Sequence, residues 1–142
     1  MLRIARTFAI QMESNTKLDR EQLAALPRIE SPEGLGWIDD FEARTALLHG
    51  WAADPVTESP ARSVFVLVDG KVALEFSGTY GTARPDVAAY HKNKALTAVG
   101  LVTRVPMRTL APGGHSLQLG VVSSDGKGYY LVPVTVEFFV SG

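Results

Sequence analysis

Alternation of apolar and polar residues with a period of two runs through most of this chain. Leu2, Ile4, Phe8, Ile10 and Met12 share one parity and Arg3, Thr7, Gln11 and Glu13 the other, which predicts a half-buried strand broken only at Arg6. The spacing then changes. Leu18, Leu23 and Leu26, with Thr16 and Asp19 at the start, predict a short capped helix stopped by Pro27. Ser31-Pro32-Glu33-Gly34 has the composition of a linker. Residues 1–34 are thus expected to form an N-terminal arm and linker, and residues 35–142 a β-sandwich domain.

In the body, Gly36-Trp37-Ile38-Asp39-Asp40-Phe41 predicts a first strand and the stretch from Thr45 to Ala52 a second, stopped by Asp54-Pro55. Val64-Phe65-Val66-Leu67-Val68 is unbroken, as a strand covered on both faces would be. Asp69-Gly70 follows it as a hairpin turn, because a type I′ turn needs positive φ at both central residues. Val72 to Phe76 is the expected return strand. Ser77 to Val99 lacks strand alternation; Arg84-Pro85-Asp86 within it predicts a helical turn or two with Asp86 as the cap. Strands are expected again at Gly100–Val105, His115–Val122, Tyr129–Val132 and Val134–Val140, the last two separated by Pro133.

Seven or more short strands joined by Asp-Gly and Pro-Gly turns predict an all-β, immunoglobulin-like antiparallel β-sandwich, with an N-terminal strand and short-helix arm and one short helix in the long excursion. Strand count alone leaves a closed barrel as the alternative. A chain of 142 residues, 46% apolar, is long enough for one sizeable core. Lys and Arg total 14 against 15 acidic residues and are scattered singly, which argues against nucleic-acid binding. The absence of cysteine excludes disulfides, thiolate metal sites and a Cys nucleophile. Arg6, Thr7, Gln11 and Glu13 interrupt what would be the apolar region of a secretory leader, and no run approaches the ~20 apolar residues of a spanning helix.

Gly36-Trp37-Ile38-Asp39, Gly50-Trp51-Ala52 with Asp54, Val68-Asp69-Gly70, Arg84-Pro85-Asp86-Val87, Gly100 and Pro112-Gly113-Gly114-His115 together resemble a bacterial immunoglobulin-like β-sandwich module. Modules of this kind occur beside glycosyltransferases and in cell-envelope proteins. The resemblance covers about residues 35–132. It departs from the usual pattern at Gly100-Leu101, where related modules have Gly-Phe. It implies a fold and a non-catalytic, accessory role, and supplies no catalytic residues.

The residues themselves agree with that role. His49, His91 and His115 are isolated, with no pair at metal-ligand spacing, and no Gly-x-Ser-x-Gly, P-loop or Gly-x-Gly-x-x-Gly string occurs. No catalytic residue, metal or cofactor is expected. The Asp residues at strand ends suit turns and caps better than a Ca²⁺ site. Arg84, Asp86 and Tyr90 are the possible ligand-binding residues, because an Arg fork beside a carboxylate and an aromatic ring can grip a glycan; the structural alternative is that Arg84 ties the excursion to the sheet. Trp37, Tyr80, Tyr129 and Tyr130 are further stacking candidates. Gly50, Trp51, Asp69 and Gly70 are read as structural. By parity Gly50 and Ala52 face the inter-sheet core, so Trp51 faces outward and needs cover, which Val87 and Tyr90 of the excursion are placed to give.

The arm carries the remaining expectation. Leu2, Ile4, Phe8, Ile10 and Met12 can pair with Val134–Val140 or offer an unpaired edge to another chain. The expected function is a non-catalytic interaction module, a peripheral subunit of an envelope-associated assembly that binds protein partners through the arm; the alternative is a glycan-binding accessory domain.

Overall fold

The computed structural model describes residues 20–72 and 77–141. Leu2, Ile4, Phe8, Ile10 and Met12 lie outside the described residues, as does the start of the predicted helix. From there the order is α1 (Arg20–Ala25), β1 (Leu35–Glu42), β2 (Leu47–Ala53), β3 (Ser63–Val68), β4 (Lys71–Val72), β5 (Ser77–Thr82), α2 (Pro85–Tyr90), a 3₁₀ turn (Lys94–Leu96), β6 (Gly100–Arg104), β7 (Gly113–Val122) and β8 (Tyr129–Val140). The strands form two four-stranded antiparallel sheets, ordered β1-β2-β6-β5 and β4-β3-β7-β8. The fold is an all-β sandwich.

Three apolar clusters hold it together. Between the sheets, Leu48, Ala52 and Leu101 from one side meet Val64, Val66, Leu117, Leu119 and Val132 from the other. Each of the leucines and valines contributes roughly 1.5–3 kcal/mol on burial. On the far face of the second sheet, Phe65, Leu67 and Val122 are covered by Leu23 and Leu26 at α1, so that the described part of the arm is joined to the sandwich. Pro27, Ile29 and Gly34 continue this attachment through backbone hydrogen bonds along the start of β8. This cover explains the unbroken apolar run of β3, all six of whose residues are buried. The third cluster lies on the outer face of the first sheet, where Ala53 and Trp51 meet Val87, Leu96 and Val99 of the excursion.

Two strand boundaries differ from the sequence expectation for identifiable reasons. Ser77–Thr82, where the lack of alternation led to no strand being expected, is β5, and it pairs with β6 at the edge of the first sheet. Its sequence, Ser-Gly-Thr-Tyr-Gly-Thr, offers only Tyr80 to the core, so a hydrophobic period could not announce it. The Tyr80 hydroxyl donates to Ala52 O at 2.6 Å and accepts from Ala61 N at 3.0 Å, and burial pushes it up to about 12. Pro133 does not split two strands; β8 runs through it for 12 residues. A break in register opposite Gln118–Gly120 takes up the proline, which costs little on an edge strand because no neighbour needs its missing N–H.

The turns behave as their residues demand. Asp69 and Gly70 have φ of 53° and 78°, the two positive values of a type I′ hairpin. Asp69 also clamps the neighbouring loop: its Oδ1 accepts Ser116 N at 2.9 Å and its Oδ2 lies 2.6 Å from His115 Nδ1, whose ring stacks on Phe138. Asp54, ending β2, is buried. Burial pushes its carboxyl up, but donation from the backbone N–H of Ser124, Thr57 and Val56 and from the Ser124 hydroxyl outweighs this and holds it below the usual range.

A candidate ligand cleft beside Trp37 and Arg84

Trp37 on β1 and Trp51 on β2 are directly opposite in the strand register, so both project from the outer face of the first sheet. Their fates diverge. Trp51 is half-buried under the excursion, its ring edge-on to His91 at 5.4 Å, whereas Trp37 is 53% exposed. Gly50, beside Trp51, is buried on the opposite face. A Cβ there would come within 2.5 Å of Trp37 O, so only glycine lets the two strands approach this closely. Cover for Trp51 comes from Val87 and His91 rather than Tyr90. Tyr90 is 84% exposed, because its position on the six-residue α2 turns the ring away from the sheet.

Arg84 fixes the excursion in place. Its Nε and Nη2 donate to Asp86 Oδ1 and Oδ2, both at 2.9 Å, while Nη1 donates to Asp39 Oδ2 at 2.6 Å and to Gly50 O at 3.4 Å. One guanidinium thus joins α2 to β1 and β2. The side chain is 21% exposed, and the hydrogen bonds it donates to Asp86 first and Asp39 second raise its pKa, so it is cationic at every accessible pH. The same fork holds Asp86 down at about 2. Asp86 is not the helix cap expected from the sequence. Arg84 occupies the cap position and Pro85 the first helical one, leaving the Asp86 carboxylate in the first turn, committed to Arg84.

Between these elements lies an open cleft of about 650 Å³, lined by Leu35, Gly36, Trp37, Asp39, Trp51, Arg84, Asp86, Val87, Tyr90 and His91. Arg84, Asp86 and Tyr90 therefore share one surface with Trp37 and Trp51. The other aromatic candidates are elsewhere: Tyr130 is buried in the inter-sheet core, and Tyr129 packs edge-on to Phe65 on the far face of the second sheet. Trp37 was among the aromatic candidates in the sequence, but its place beside Arg84, and Asp39 as a member of the site, were not legible there, because only the tertiary structure brings β1 to Arg84. Among the described residues, no three of the His, Asp and Glu side chains gather closely enough to hold a metal ion. Among the same residues, no helix is long and apolar enough to cross a membrane. No protein-family model matches the chain and no curated protein aligns with it.

Proposed function

We propose that this chain is a non-catalytic binding module whose cleft receives a carbohydrate. The observation that carries the reading is Trp37: a large ring, half in solvent, lines a cleft that Tyr90, also exposed, lines as well. Asp39 and Asp86 line the same cleft, and their remaining lone pairs can accept sugar hydroxyls while the flat rings take the C–H faces of the sugar. The charged groups favour binding over chemistry. A carboxylate held near 2 is a poor proton donor or acceptor at neutral pH, and the guanidinium beside it cannot release a proton. The strand order supports the immunoglobulin-like reading, since β1-β2-β6-β5 against β3-β7-β8 repeats the order of that sandwich class.

The test is titration of the intact chain with a panel of neutral and acidic oligosaccharides, followed by tryptophan fluorescence and calorimetry. Binding should be lost in Trp37→Ala, a substitution at an exposed position that leaves the fold intact. A flat titration, or a Kd unchanged in Trp37→Ala, would overturn the glycan reading.

A second reading, a peripheral subunit of an envelope-associated assembly, is favoured by β8. Among the described residues, no strand pairs with the outer edge of Pro133–Val140, and Phe139 beside that edge is 70% exposed. A chain that binds no glycan and is recovered from its source as part of a larger species would decide for this second reading.

A further inference from the structure

At the far end of the β1–β2 hairpin from the Trp37 cleft, a second open cleft of about 590 Å³ lies between the β1–β2 turn and the segment leaving β6. Three arginines line it, Arg44, Arg104 and Arg108, and among the described residues no carboxylate does. We propose that this cleft binds a multiply charged oxyanion of the phosphate class. Local neutralisation is slight. Arg44, 88% exposed, reaches Glu42 at 3.4 Å outside the cleft. Arg104 gives one N–H to Thr45 O at 2.5 Å, an uncharged acceptor, and has no ion pair among the described residues. Arg108 has neither an ion pair nor a side-chain hydrogen bond among the described residues. In a chain of net charge −1, a cleft lined by three arginines, one of them answered by an exposed carboxylate, is a local concentration of positive charge that a bound anion would neutralise. A guanidinium fork matches the oxygens of phosphate, and three forks suit a di- or trianion better than a single carboxylate.

The backbone beneath the arginines is held rigidly. Ala46 has φ of 61°, a left-handed conformation that is costly for a residue with a Cβ. Its carbonyl accepts Val105 N at 2.8 Å, which fastens the turn to the end of β6. Val105 is buried and Met107 packs on the core, so the loop bearing Arg104 and Arg108 is anchored from below. Strain maintained at this turn fixes where the Arg44 and Arg104 backbones stand relative to one another.

The oxyanion can be free or carried on a lipid headgroup, and two arms of one experiment separate these sources. In the first, the chain is titrated with pyrophosphate, with acetate at matched ionic strength as the control. In the second, it is floated with vesicles containing phosphatidic acid and with vesicles of phosphatidylcholine alone. The double variant Arg44→Ala/Arg108→Ala removes two cations that make no core contact, and Lys94→Ala/Lys127→Ala removes the same charge elsewhere. The expected result is pyrophosphate binding that weakens at least tenfold in the arginine variant and less than twofold in the lysine variant. Vesicle binding alone, with the same dependence on the arginines, would also support the site and assign it to a lipid headgroup. Absence of binding in both arms, or equal weakening by the two variants, would overturn the proposal.

Discussion

Arginine meets the β1–β2 hairpin at both ends, and the ends use it in opposite ways. At the Trp37 end, Arg84 is shielded and its fork is spent on two carboxylates and a carbonyl. At the turn end, roughly 20 Å along the strands, Arg44, Arg104 and Arg108 line a cleft with no carboxylate among its described lining residues. The residue type is the same; the surroundings decide the role. A guanidinium whose charge is answered inside the fold positions chain segments, while one left unanswered is available to a ligand. The Trp37 cleft therefore presents rings and carboxylate oxygens, the features on which the proposed carbohydrate reading rests, and the turn cleft presents positive charge.

This contrast makes the Trp37 end the part on which stability depends. The largest effect is expected for Trp51→Ala, which takes from Val87, Leu96 and Val99 the ring they cover and should cost about 3 kcal/mol in chemical denaturation. Hydrogen exchange across residues 84–96 should accelerate with it; a loss below about 1 kcal/mol would mean that the excursion holds itself. Next comes Arg84→Ala, which unties α2 from β1 and β2 and should cost about 1–2 kcal/mol, with Arg84→Lys recovering less than half because an ammonium cannot grip Asp86 with two parallel bonds. The effect has a pH signature. Asp86 has a folded pKa held at about 2 against an ordinary 3.8, so its contribution is complete above 3.8 and fades as pH falls through about 2. The gap between the parent chain and Arg84→Ala should accordingly narrow below pH 3.8. The smallest effect is expected at the turn end, where Arg44→Ala and Arg108→Ala should each change stability by no more than about 0.5 kcal/mol. A larger loss there would erase the distinction between the two ends.

The sequence carried much of this picture because strands and tight turns are local. The parity of β2 placed Trp51 on the outer face and Ala52 in the core, and the Asp69-Gly70 pair announced its own turn geometry. The unbroken run of β3 implied cover on both faces before α1 was seen to give it. Local reading failed where the cause was not local. β5 has too few apolar residues to display a period, and its strand conformation is imposed by the edge of β6. Asp86 looked like a cap, since Asp is favoured there. A charged partner two residues away won its carboxylate instead.

The sites divide in the same way. The amino-acid order alone determined the antiparallel all-β class, the outward face of Trp51 and the presence of an Arg-Pro-Asp excursion, because a period of two and a turn dipeptide are properties of neighbouring residues, whereas the split into two sheets that rules out a closed barrel is tertiary. Only the tertiary structure decided that Trp37 and Asp39 join Arg84, Asp86 and Tyr90, and that Arg44 meets Arg104 and Arg108. Those residues are separated by about 45 to 65 positions in the chain. Strand pairing across the first sheet sets their distances, and the sign of a charge's surroundings exists only once that pairing is made.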